Sequence, residues 1–101
     1  LENWLNMNID FIKLFNEIVR LAKPSIGKKS FASSMEDKFE ELDLDSLDHI
    51  MMMMYFGSIY EIEEEVLQQS KYETVGELQE FLEKNKTRDI ESFEQAMEYA
   101  K

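Results

Sequence analysis

An all-α fold is predicted for this chain by three observations. Glycine occurs three times and proline once in 101 residues, too few turn-formers for a sheet of many short strands. No stretch of four or more residues alternates apolar and polar cleanly enough to specify a strand. Apolar residues recur instead at three- and four-residue spacing, behind residues that start helices well. The length holds one domain around one core of limited depth.

The first helix is predicted from about Asn6 to Lys23, where Phe11, Leu14, Phe15, Ile18, Leu21 and Ala22 draw one stripe. Pro24 and Gly27 end it, and Leu1 to Leu5, with Trp4, add a turn or an arm. Residues 24–45 read as a long connection rich in serine; a loop of this length in a small domain is often functional. Ser33 and Glu36 fit a capping box for a short turn over Met35–Glu41. A second helix starts at Ser46 with Asp45 as its N-cap and Asp48 in its first turn. It is expected to stop near Phe56, at Gly57-Ser58. Glu61–Gln69 reads as a short third helix. Thr74 and Glu77 form a capping box for a fourth, with Val75, Leu78, Phe81 and Leu82 on its apolar face. After the polar stretch Lys84–Arg88, a last helix over Asp89–Lys101 carries Ile90, Phe93, Met97 and Ala100. Residues 1–85 form the main body of the domain, and residues 86–101 a helical extension of it.

Composition excludes several function classes. The formal charge is −11, from 22 acids against 11 bases, which disfavours phosphate-dominated nucleic-acid binding. Residues 34–69 hold eleven of the acids against one base, Lys38, so this third of the chain is a candidate docking surface for a basic partner. There is no cysteine and one histidine, which removes disulfides, thiolate metal sites and the usual triads. His49 reads as a helix-surface residue. Asp43, Asp45 and Asp48 superficially suggest a calcium loop, but the sixth position is Asp48 where glycine is needed and the twelfth is Met54 where glutamate is needed. The longest apolar run, Ile50–Phe56, is far short of the ~20 residues that span a bilayer. No basic segment precedes an apolar run at the start, so no signal peptide is expected. A cytoplasmic monomer without metal, catalytic residues or membrane insertion is the expectation.

The informative stretch is Leu42-Asp43-Leu44-Asp45-Ser46-Leu47-Asp48-His49-Ile50. A serine in the first turn of a helix stands beside unsatisfied backbone N–H groups that favour a phosphate. Ser46 and Asp45 also suit a helix start on their own account. Behind them, Met51–Met54 are four successive helical residues that cannot all face one way. Alignment with the acyl carrier protein family, which this stretch resembles, points Met52 and Met53 inward and Met51 and Met54 outward, with Tyr55 beside them, so Met51 and Met54 are expected on a partner surface.

From about Ile9 to Leu82 the sequence resembles the acyl carrier protein family. Asp45-Ser46-Leu47-Asp48 matches the family's motif, and Leu42 matches the leucine four residues before its serine. Ile50, Met53 and Phe56 fall at core positions of the second helix, Tyr60 at an aromatic core position, and Thr74-Val75 at the start of the last family helix. The sequence departs from the pattern where Asp43 replaces a glycine, Met51 a glutamate, and Gly57 and Ser58 stand where acids are usual, and the segment between Tyr60 and Thr74 matches poorly. The resemblance implies a four-helix bundle with a long first loop, here with an added C-terminal helix. It implies that Ser46 carries a 4′-phosphopantetheine arm delivered from coenzyme A by a phosphopantetheinyl transferase. The chain would hold acyl groups as thioesters for fatty-acid, polyketide or related biosynthesis, with no catalysis of its own. Asp45, Leu47, Asp48, Met51, Met54 and Tyr55 would meet acyl-transferring, acyl-activating or synthase enzymes with basic docking surfaces. The alternative is an armless protein of the same fold acting as an acidic interaction module.

Overall fold

The computed structural model describes residues 10–23 and 30–101. Among these are five α-helices, one 3-10 turn and no strand: α1 Phe11–Ala22, the 3-10 turn Phe39–Glu41, α2 Ser46–Tyr60, α3 Glu64–Leu67, α4 Val75–Asn85 and α5 Phe93–Ala100. The expected turn or arm over Leu1–Leu5, and the first residues of the predicted first helix, lie outside the described residues. Asp10 caps α1 by accepting from the N–H groups of Ile12 and Lys13. Its stripe buries Phe11, Leu14, Phe15, Ile18 and Val19, while Leu21 stays 40 % exposed.

The core lies between α1, α2, α4 and α5. Met52, Phe56, Ile59 and Tyr60 enter it from α2, Val75, Leu78 and Leu82 from α4, and Ala96 and Ala100 from α5. Phe11 stacks on Phe56 at 5.7 Å between ring centroids, joining α1 to α2. Burying one such side chain is worth ~1.5–3 kcal/mol. Two alanines facing α2 let α5 approach closely, and Lys13 lies over the Phe93 ring at 4.3 Å.

Several predicted boundaries change. The turn near Met35–Glu41 is not built on Ser33 and Glu36. Asp37 organises it, its carboxylate accepting from both N–H groups and both hydroxyls of Ser33 and Ser34. The Ser33 N–H bond chiefly holds the Asp37 carboxyl below its usual range, against desolvation. This loop is then tied to the start of α4: Phe39 N–H donates to Glu73 O, Val75 N–H to Asp37 O and Gly76 N–H to Met35 O, at 2.8–3.0 Å. At Gly76 a β-carbon would lie 3.1 Å from the Met35 oxygen. Thr74 accepts from Glu77 N–H as predicted, while the Glu77 carboxylate reaches back to the Glu73 N–H.

Helix α2 does not stop at Gly57-Ser58 but continues to Tyr60. A helical glycine costs ~0.5–1 kcal/mol, yet here its bare face is covered: a β-carbon on Gly57 would sit 2.5 Å from Leu67 Cδ1 of α3. The helix ends on Glu61 in the left-handed conformation, φ 55°. Its last carbonyls are taken from the C-terminal segment. Thr87 N–H donates to Tyr60 O at 3.0 Å, the Thr87 hydroxyl to Glu61 O, Arg88 Nε to Ile59 O at 3.1 Å and Arg88 Nη2 to Ser58 O. Arg88 also lies over the Tyr99 ring at 3.6 Å. Because Thr87 and Arg88 are engaged in this way, α5 starts at Phe93, capped by Ser92, rather than at Asp89. α3 is confined to Glu64–Leu67.

Candidate functional site

The start of α2 is a closed set of local bonds around one free hydroxyl. Asp45 Oδ1 accepts from Asp48 N–H at 2.9 Å, and Asp48 Oδ2 accepts from Asp45 N–H at 3.0 Å, so each aspartate caps the other. Ser46 lies between them and is exposed. Among the described residues its hydroxyl makes no hydrogen bond, and neither its own N–H nor that of Leu47 has a partner. One nucleophilic oxygen and two unsatisfied donors thus meet at the positive end of a 15-residue helix.

The loop that delivers Ser46 is pinned from below. Lys23, at the end of α1, donates to Asp43 O at 2.8 Å and lies 3.4 Å from Asp48 Oδ2. Ser30, fully buried, donates to the same Asp43 carbonyl at 3.0 Å. Neither residue stands out in the sequence. No spacing rule links Lys23 or Ser30 to a loop some thirteen to twenty residues away, and no local pattern marks either one.

The structure places the named residues on two different faces. Asp48 was expected to meet partners, but its side chain turns inward and the residue is 8 % exposed. The Asp45 N–H bond, then Lys23, holds its carboxyl below the usual range against desolvation. Asp45 is exposed but shares its carboxylate with the Asp48 N–H. His49 is not a free surface residue. It packs on Phe39 at 5.0 Å and sits 3.3 Å from the Tyr72 hydroxyl through Nδ1. Burial lowers its pKa, opposed by Asp48 and Asp45, and burial raises that of Tyr72 to about 12.

Of the methionines, Met52 is fully buried, Met51 and Met53 are half-buried, and Met54 is 60 % exposed. Tyr55 is half-buried. Ile50 was expected in the core but is 58 % exposed, and Leu47 is 64 % exposed. With ~100° per residue, Leu47, Ile50, Met51 and Met54 share an arc of about 100°. The core residues Met52, Phe56 and Ile59 lie on the opposite arc. Ile50 cannot face inward while those three do.

The chain matches no known family model, no curated protein and no solved structure. Among the described residues no helix is long and apolar enough to cross a membrane.

Proposed function

We propose that this protein is a carrier of the acyl-carrier type, in which Ser46 is the attachment point for a 4′-phosphopantetheine arm. The observation that carries this reading is the exposed Ser46 hydroxyl at the head of α2, between two aspartates that cap each other; among the described residues neither it nor the N–H groups of Ser46 and Leu47 have a partner. A phosphodiester on Ser46 fits this place, because the N–H groups of Ser46 and Leu47 offer it hydrogen bonds and Ser46 is exposed. An all-α fold is also what the same family resemblance implies.

The chain's part in loading is limited and specific. The Ser46 oxygen attacks the phosphorus next to the pantetheine of coenzyme A, a phosphodiester forms, and 3′,5′-ADP leaves. A phosphopantetheinyl transferase supplies the base that takes the serine proton and the magnesium. Lys23 and Ser30 hold the Asp43 carbonyl, and the Asp45–Asp48 box fixes the first turn, so the hydroxyl is presented on a rigid element. When bound, the arm supplies a thiol for thioester chemistry, which a chain without cysteine lacks. The protein would then hand acyl groups to transferring, activating or synthase enzymes without catalysing a reaction, as a cytoplasmic monomer. The departures at Asp43, Met51, Gly57 and Ser58 favour a specialised set of partners.

The absence of cysteine makes the test direct. After incubation with coenzyme A, magnesium and a broad-specificity transferase, followed by desalting, thiol titration should give one thiol per chain. The Ser46→Ala variant should give none. A folded wild-type chain that gains no thiol would reject the reading in favour of the armless interaction module.

A further inference from the structure

One side chain joins three segments close to Ser46. His49 stands in the first turn of α2, three residues after Ser46. Its ring is 5.0 Å from that of Phe39 in the 3-10 turn and 6.2 Å from that of Tyr72 in the segment before α4, and its Nδ1 lies 3.3 Å from the Tyr72 hydroxyl. Phe39 and Tyr72 are held together without it. Their rings meet edge to face at 4.8 Å, Phe39 meets Phe15 at 5.7 Å, and Phe39 N–H donates to Glu73 O. The head of α2 is therefore gripped from two sides, by Lys23 on Asp48 and by this aromatic pair on His49.

The second grip depends on the charge of the imidazole. Burial keeps the Tyr72 hydroxyl protonated, so it donates to Nδ1 of a neutral ring. A charged ring carries a proton on both nitrogens and offers Tyr72 no acceptor, and burial opposes that charge. The carboxylates of Asp48 and Asp45 favour it. Asp45 is exposed and stands four residues before His49, on the same helix face. On the other two segments Lys38, Glu40 and Glu73 line the cleft beside Phe39 and Tyr72, and Lys23 is engaged by Asp48. We infer that His49 is a proton-operated latch: neutral, it fastens the head of α2 to Phe39 and Tyr72; protonated, it leaves them for Asp45 while the loop and α4 stay joined. Opening leaves the first turn of α2, and Ser46 with it, held from the Lys23 side alone. The ordinary titration range of histidine puts this change within reach of mild acid.

The test is NMR of the unmodified full chain between about pH 7.5 and about pH 5.0, a range in which Asp37 and Asp48 stay ionised. At the upper end, nuclear Overhauser contacts should join the His49 ring to Phe39 and Tyr72. At the lower end those contacts should be lost in step with the titration of His49, and the Ser46 and Leu47 amides should lose order. The Phe39–Tyr72 and Phe39–Phe15 contacts should remain. His49→Phe, neutral at every pH, should keep the ordered head of α2 throughout. Tyr72→Phe keeps the ring and removes the donor, so it should raise the titration midpoint of His49. Ring contacts that survive protonation, or a His49 that stays neutral at the lower end, would overturn the inference. So would joint loss of the Phe15, Phe39 and Tyr72 contacts, which is general unfolding, the same acid response in His49→Phe, or a midpoint that does not rise in Tyr72→Phe. The latch needs no arm at Ser46 and thiol gain there is scored separately, so failure here and failure of the carrier reading are distinguishable.

Discussion

The Lys23 ammonium lies 3.4 Å from the Asp48 carboxylate and joins the end of α1 to the first turn of α2. The lysine side chain is 24 % exposed and the aspartate 11 %, so water screens the pair only partly. It is more than an ion pair, because the same ammonium donates to the Asp43 carbonyl and the same carboxylate caps the Asp45 N–H. Replacing Lys23 by methionine keeps the apolar stem and removes both contacts of the ammonium, to the Asp43 carbonyl and to the Asp48 carboxylate. Urea denaturation should show a loss of ~1–3 kcal/mol. Asp48→Asn keeps an acceptor and should cost less, ~1 kcal/mol.

Acid should destabilise the fold in two stages. The folded state holds His49 below its ordinary value of 6.5, so the unfolded chain binds the proton more readily. Stability is complete while histidine is neutral in both states and declines as pH falls below about 6.5. Asp37 and Asp48 are held below their usual 3.8, so their contribution is present above that value and is lost as pH falls beneath it. Thermal melts should therefore drop between pH 7.5 and 5.5 in the wild type and hold level there in His49→Gln. An equal drop in both proteins would contradict the assignment to His49.

Gly57 and Leu67 should be energetically coupled. Adding a β-carbon at Gly57 improves helix propensity but forces the Leu67 methyl aside. Gly57→Ala alone should change stability by less than about 1 kcal/mol, while amide exchange in α3 accelerates. In a Leu67→Ala background the same change should stabilise by ~0.5–1 kcal/mol. Additive effects in this double-mutant cycle would show that the two sites do not touch.

The C-terminal segment should matter through Arg88. Its guanidinium holds two α2 carbonyls and stacks on Tyr99. Arg88→Ala should lower stability by ~1–3 kcal/mol. Arg88→Lys should recover less than half of that loss, because lysine supplies neither the planar fork nor the stacking.

Much of the helical order was legible in the sequence. Apolar spacing located α1, α4 and α5, and Asp45 and Thr74 announced the starts of α2 and α4, because capping is a local property of a few residues. What failed was non-local. Gly57 reads as a helix stop until Leu67 is seen lying against it. Asp48 reads as a surface acid until Lys23 is brought to it from α1. Ile50 reads as core until the opposite arc of α2 is filled by Met52, Phe56 and Ile59. His49 is removed from the free surface by Phe39 and Tyr72, which stand ten residues before it and more than twenty after it. At the site itself, Ser46 and its cap were readable from the motif, whereas the buried anchor made by Ser30 and Lys23 was not.

The most direct test of the account is intact mass of the full chain after incubation with coenzyme A, magnesium and a phosphopantetheinyl transferase, followed by peptide mapping. A carrier should gain one phosphopantetheine per chain, confined to the peptide containing Ser46. No gain in folded, previously unmodified protein, or a gain on any other serine, would contradict it.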